Sequence, residues 1–402
     1  MTTTSNLGME SESSTGSIFT PEDGNLGSYT SNPLTQKLCS FRISSSNPAL
    51  TRADLQKAMA PELKNAVVKA PDLPWITTIF PDNKLPFLDM ESLLTSVPWI
   101  VPSAFTEPGM ASWMNDIAES VKSHTQKTPA RQWNSSYCTT LLSGSSIKRK
   151  PDLALLSTHT TKEPSWPEVC GLCEVTSSVT FHSTISSTVQ QKAFIMLSTQ
   201  HDRRFVPVLS FANRSFRITL CDRAGIVLSA TGDVERDSYI LFRIIIAFLF
   251  GDDEVIGYDA SMRHGLYGEI TSITAGGLEY TVMKKLFSAE VMRGRATQCW
   301  HVERGGEQYV IKDSWVQSGR TSNEIDLLKE MADVEGVPDL VWGGEVLLSD
   351  GTVDSTALNR IGITYSEERV HRRLVMQPVG ERIQTFRSKK ELISVLIDLV
   401  KS

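Results

Sequence analysis

The chain has no apolar run approaching the roughly 20 residues that cross a bilayer, so no membrane-spanning helix is expected. Its longest candidate, residues 238–250, is 13 residues long, interrupted by Arg243 and closed by Gly251-Asp-Asp-Glu, and reads as a buried core helix. The N-terminus lacks a charged segment followed by an apolar stretch, so no secretory leader is apparent. Charge of one sign is equally scarce. A formal net charge of −6 over 402 residues gives no overall pull toward nucleic acid, and the basic run Lys148-Arg149-Lys150 reads as a solvated turn. The six cysteines are few and scattered, which suits a reducing compartment. Cys170 and Cys173 form C-x-x-C, yet no second Cys or His pair stands at zinc spacing. Read as a strand from Val169 to Val175, the segment would send the two sulfurs to opposite faces, so they are expected to be ordinary buried thiols. A soluble intracellular protein of the cytoplasm or nucleus is the resulting expectation, without a membrane partner. No internal repeat is visible.

What is present divides into three stretches. Residues 1–30 are rich in Ser, Thr and Gly with almost no large apolar side chains, a composition that cannot offset ordering entropy and predicts a disordered tail. Residues 33–260 read as a helical and then α/β region. Ala49–Met59 is amphipathic with Thr51 as its N-cap, and Trp113, Ile117 and Val121 share one helical face. Strands are expected at Leu153–Leu156, Val169–Val175, Phe205–Leu209 and Phe216–Leu220, and a helix at Val189–Thr199. Asp222-Arg-Ala-Gly225 reads as a tight hairpin turn. Residues 265–402 are strand-rich to Trp315, helical near 322–332, extended around Val341–Leu348 and Arg373–Met376, and helical again at 389–401.

One constellation in the last stretch carries chemistry. Val291-Met-Arg-Gly-Arg-Ala-Thr-Gln-Cys-Trp300 places a glycine turn between strands, where backbone N–H groups can approach phosphate oxygens. Only Gly294 is glycine there. On the following strand Val310 and Lys312 share one face and Tyr309 and Ile311 the other. A lysine ending an apolar strand needs a charged partner or solvent. Glu324, grouped with Leu328 and Met331 at i, i+4 and i+7, is expected to begin the inward stripe of the next helix. An inward carboxylate beside an inward lysine is the ion pair that holds a kinase lysine on the ATP phosphates.

Arg293-Gly-Arg-Ala-Thr-Gln-Cys-Trp300, Val310-Ile-Lys-Asp-Ser-Trp315, Gly336-Val-Pro-Asp-Leu340 and Leu374-Val-Met-Gln-Pro-Val-Gly380 together resemble the fungal-type protein kinase family. The likeness extends upstream through Arg149-Lys-Pro-Asp152, Gln200-His-Asp-Arg-Arg204 and Cys221-Asp-Arg-Ala-Gly225, and covers roughly residues 70 to 402. It implies an α+β fold, a restriction-endonuclease-like α/β region followed by an antiparallel kinase N-lobe-like sheet with one helix and the start of a C-lobe. It also implies ATP, with Mg²⁺, as cofactor, a nucleotide-binding set of Gly294, Thr297, Val310, Lys312, Glu324 and Gln377, and a Ser/Thr-type kinase acting on a protein substrate that the sequence leaves unspecified. Residues Gln377–Gly380 would form the hinge beside the adenine, through backbone groups.

Two motifs of the family chemistry are missing from these residues. H-R-D-x-x-x-x-N, which supplies the base Asp and a metal-binding Asn, and D-F-G, which supplies the other metal contact, occur nowhere in the sequence. His371-Arg372-Arg373 has Arg where Asp is required. The expectation is therefore an incomplete, inactive kinase-like domain, with a non-catalytic nucleotide-binding or scaffold pseudokinase as the alternative. The closing helix carries Leu392, Val395, Leu396 and Leu399 on a face with nothing downstream to cover it. A second, weaker site is suggested upstream. Pro151-Asp152 followed by Glu174 on a neighbouring strand resembles a metal-nuclease pattern in which two carboxylates hold Mg²⁺ and a lysine orients water. The lysine of its Glu-x-Lys triplet is replaced by Thr176. Glu107 and Gln190 or Gln191 are further candidates. A solvated or hydrogen-bonded structural role for these carboxylates is the expectation.

Overall fold

In the computed structural model, residues 52–160, 163–181, 183–265, 267–319, 323–381 and 385–401 are described. The expected tail and the Thr51 cap lie outside them. The fold is mixed α and β, built on two sheets. The first has eight strands in the order β1 (Val67–Lys69), β7 (Gly225–Leu228), β6 (Ser215–Asp222), β5 (Phe205–Ala212), β4 (Gly171–Thr176), β3 (Leu153–Ser157) and β2 (Arg131–Asn134), with β8 (Gly232–Asp233) pairing β6. The second has seven: β14 (Asp339–Glu345), β15 (Arg369–Gln377), β13 (Glu307–Gln317), β12 (Gln298–Arg304), β11 (Leu278–Ser288), β10 (Ile270–Ala275) and β9 (Met262–His264).

The first sheet is covered on both faces, and side-chain alternation decides which residue goes where. Leu153 and Leu155 of β3 join a cluster with helices α2 (Ile76–Ile79), α3 (Met90–Ser96), α4 (Glu107–Thr125) and α6 (Ser238–Phe250). Ala154 and Leu156 join the opposite cluster with α1 (Arg52–Leu63) and α5 (Ser183–Thr199). Because α5 connects β4 to its parallel neighbour β5, this part of the sheet is buried on both faces. Such strands read as continuous apolar runs, as β5 does. Trp113, Ile117 and Val121 of α4 are buried as their spacing predicts. The apolar helix α6 is buried with its arginine. Arg243 donates to the Phe80 carbonyl and the Tyr239 hydroxyl at 2.8 Å each and pairs with Asp82, which is how a buried guanidinium is tolerated.

Two local expectations change. The strand holding the C-x-x-C begins at Gly171 rather than Val169, after a 3₁₀ turn at Trp166–Glu168. Cys170 therefore lies outside the strand, and alternation does not reach it. Both cysteines adjoin the same core cluster, both are free thiols, and burial raises the pKa of each.

The second sheet is antiparallel throughout and covered unevenly. Trp300, Ile311 and Val375 lie on the face turned to its own small core with Tyr280 and Val302. The opposite face carries the cross-strand row Cys299, Lys312, Leu374 and Gly343. There the two-turn helix α7 (Glu324–Glu330) packs Ile325 against Gly343, where an added Cβ would meet Ile325 at 3.0 Å. The expected stripe of Glu324, Leu328 and Met331 is corrected by this packing. Ile325 is the buried residue, and Met331 is 40% exposed because the helix ends before the seventh position is reached. The last helix, α8 (Lys389–Lys401), leaves Ile393, Val395, Leu396 and Ile397 exposed. Among the described residues no helix is long and apolar enough to cross a membrane.

Candidate functional site

Lys312 and Glu324 form an ion pair, as the sequence pattern predicts. The lysine is placed by the middle of β13, between Cys299 of β12 and Leu374 of β15. The carboxylate is placed by the first turn of α7, which Asn323 caps by accepting from the Ile325 N–H at 3.1 Å. Glu324 also accepts from Arg295 of the glycine turn at 3.1 Å, so one carboxylate serves two cations. Their side chains are open to solvent at 23%, 21% and 34% for Lys312, Arg295 and Glu324, which leaves the cations reachable by an anionic ligand.

The glycine turn, residues 289–297, lies less freely than a phosphate cover. Gly294 has φ of 123° and open space where a Cβ would stand, so its backbone is sterically approachable. Its N–H, however, donates to the Arg223 carbonyl of the first sheet's β6–β7 turn at 2.9 Å. The Arg223 guanidinium returns a bond to the Val291 carbonyl at 2.7 Å, and Arg293 pairs with Glu367 and donates to the Glu62 carbonyl at 3.1 Å. The Thr297 carbonyl accepts from Ala289 at 2.9 Å and so closes the base of the turn. Val310 is half-buried beside Lys312. Gln377 ends β15, with its side-chain amide 3.5 Å from the Gln308 carbonyl.

Between the two sheets lies a buried charge network absent from the sequence reading. Arg373 is fixed by Asp313, at 2.7 Å, and Asp259, at 3.0 Å. His371 stacks on Trp315 at 4.7 Å and touches Asp354 at 3.1 Å and Asp313 at 3.4 Å. Burial alone would lower the His371 pKa, but these two carboxylates raise it to about 9. Asp313 is held well below the usual carboxylate range because Arg373 and His371 overcome its burial. Arg204 pairs with Asp354 at 3.0 Å, and Arg360 grips Asp222 from two nitrogens. Burial lowers the Arg223 pKa to about 10. Asp259, Asp313 and His371 stand close enough to ligate a cation. All three are already engaged, two of them by a guanidinium that is 1% exposed, so they read as a structural network rather than a metal centre.

The upstream candidates come together more closely than the sequence suggests. Asp152 at the entry to β3 and Glu174 on β4 are joined through the protein, the Val175 N–H donating to Asp152 at 2.9 Å. A lysine reaches both carboxylates from α5. Lys192 Nζ lies 2.5 Å from Glu174 and 3.5 Å from Asp152, with Lys192 and Glu174 only 3% and 2% exposed. Burial raises the Glu174 pKa to about 7, even with Lys192 opposing it. The sequence carries a signal for it: Lys192 stands on the helical face of α5 that also holds Val189, Ala193 and Met196. Gln191 accepts from Arg149 at 2.9 Å and Gln190 faces Gln56. Glu107 starts α4, with no hydrogen bond or ion pair to Asp152 or Glu174 among the described residues.

Comparison with known proteins gives one family. The fungal protein kinase model matches residues 150–368 and 357–402, while no curated protein and no solved structure matches. The match covers more than half of the sequence and contains Lys312, Glu324 and the glycine turn; the chain belongs to the fungal protein kinase family.

Proposed function

We propose that residues 265–402 form a nucleotide-binding, kinase N-lobe-like unit in which Lys312, oriented by Glu324, takes the phosphates of ATP. The observation that carries this reading is the solvent-reachable Lys312–Glu324 pair on β13 and α7. ATP supplies the transferable phosphoryl group when bound. The residues of this chain would bind and orient it: Lys312 by charge, the turn at Gly294 by backbone, Val310 by apolar contact and Gln377–Gly380 along the adenine edge. Phosphoryl transfer needs a catalytic-base Asp and a metal-binding Asp, and neither motif occurs in residues 1–402. The activity proposed for these residues alone is therefore nucleotide binding without catalysis, in the manner of a pseudokinase. Titration calorimetry with ATP is expected to give Lys312-dependent binding, lost in Lys312→Ala. Absence of heat in both proteins would leave a scaffold role.

Lys192 favours a second reading for the upstream unit, a restriction-endonuclease-like metal-dependent nuclease. The order α4, β2, β3, β4, α5, β5 brings an acid pair and a buried lysine to one sheet face. Asp152 and Glu174 would hold Mg²⁺ once Lys192 turns toward water, as two carboxylates and a lysine do in metal-assisted hydrolysis. The test is cleavage of plasmid DNA with Mg²⁺. Asp152→Asn should abolish it, and an inert wild-type protein sinks the reading.

A further inference from the structure

The glycine turn is fastened to the upstream unit through Val291, Met292, Arg293 and Gly294. Met292 is fully buried in the α1–α5 cluster of the first sheet, beside Leu63 and Cys221. Arg223, 2% exposed and anchored to the Leu197 and Arg203 carbonyls at 3.2 Å each, reaches out to the Val291 carbonyl. Glu62 at the end of α1 accepts from the Arg293 N–H, and the Arg293 guanidinium is spent on the Glu62 carbonyl and on Glu367. Gly294 is the one residue whose backbone a ligand could approach without a side chain in the way, and its N–H is taken by the Arg223 carbonyl. On the far side of the turn, Arg295 lies across Glu324 beside Lys312, with its carbonyl accepting from the Trp315 N–H at 2.7 Å.

We propose that the upstream α/β unit is a built-in inhibitor of the nucleotide site, acting by clamping residues 291–294 through Glu62, Arg223 and the Met292 plug. The proposal rests on the nucleotide-binding reading of Lys312. In the clamped arrangement the turn contributes no free backbone donor at Gly294 and no free guanidinium at Arg293. Releasing the clamp frees the Gly294 N–H, and backbone N–H groups of a glycine turn bind anions. Glu62 and Arg223 are thus positioning residues; neither lies beside Lys312. A ligand that favours the released state shifts the population toward it, and the energy of the clamp subtracts from apparent affinity.

The experiment uses the full 402-residue chain and two single variants from opposite sides of the clamp, Glu62→Ala and Met292→Ala, with ATP as probe. Amide hydrogen exchange of residues 291–297 and ATP affinity are measured on each, and melting temperature confirms folding. The expected result is faster exchange confined to the turn and ATP binding at least tenfold tighter than wild type. Adding Lys312→Ala to either variant should remove that gain. Faster exchange with unchanged or weaker Lys312-dependent binding overturns the inhibitory clamp and leaves the nucleotide site standing. Unchanged exchange overturns it as well, since the turn would then be held by something else. Faster exchange with no ATP binding in any form removes the nucleotide-binding reading itself, and the clamp proposal falls with it.

Discussion

Two of the molecule's lysine–carboxylate pairs share one chemistry in opposite surroundings. Lys192 of α5 meets Glu174 of β4 between that helix and the doubly covered first sheet, at 3% and 2% exposure. Lys312 and Glu324 sit on the thinly covered face of the second sheet, at 23% and 34%. Desolvation dominates the first pair and solvent screening the second. A buried pair is tolerated only while both partners stay, and removing one leaves an uncompensated charge. An exposed pair adds little to stability, so its geometry is available for a ligand. The difference separates a charge pair that the fold depends on from one that the fold merely positions.

The comparison breaks most visibly at Lys192. Lys192→Met is expected to destabilise the chain by about 3–5 kcal/mol, read as a lower urea midpoint. The double variant Lys192→Met with Glu174→Gln should recover most of that loss, because no lone charge remains. A loss under about 1 kcal/mol for the single variant would mean that the pair is not buried as described.

A smaller effect is expected from the interface between the sheets. The folded-state pKa of His371 is raised from 6.5 to about 9. Its stabilising contribution is therefore present below about pH 6.5 and lost as pH rises through about 9. Unfolding free energies taken across that window should fall by an amount on the order of a few kcal/mol, and His371→Gln should flatten the fall. An equal slope in the variant would place the titration elsewhere.

Lys312→Ala is expected to be the mildest for folding, changing stability by less than about 1 kcal/mol while removing ATP binding. A large loss of stability there would erase the contrast with Lys192.

Much of this was readable in advance where local patterns suffice. Residues 238–250 form the helix their composition announces, and α4 buries the face its periodicity marks. Lys312 meets Glu324 because strand alternation and the start of the next helix both act over short sequence distances. The expected inward stripe of α7 fails at Met331, which caps the helix after Glu330 instead of lying on it. The Glu-x-Lys triplet does not contain Lys192. The lysine arrives instead from the following helix, 18 residues after Glu174.

Residues 371–373 mark the same boundary from the other side. The sequence excludes them as a catalytic loop, since Arg373 stands where Asp is needed. Nothing local says that Arg373 would be 1% exposed between two aspartates, or that His371 would stack on Trp315. By itself the sequence determined the α+β class, the main elements, the family motifs and the Lys312–Glu324 pair, all of which depend on periodicities of two and 3.6 residues or on short strings. Tertiary structure alone decided that the glycine turn is fastened to the upstream sheet, that Lys192 reaches Glu174 from α5, and that His371 and Arg373 lie in one buried charge network. Those outcomes depend on which distant charges share a desolvated space, where an unpaired group is too costly to leave, and that is a property of packing rather than of sequence neighbours.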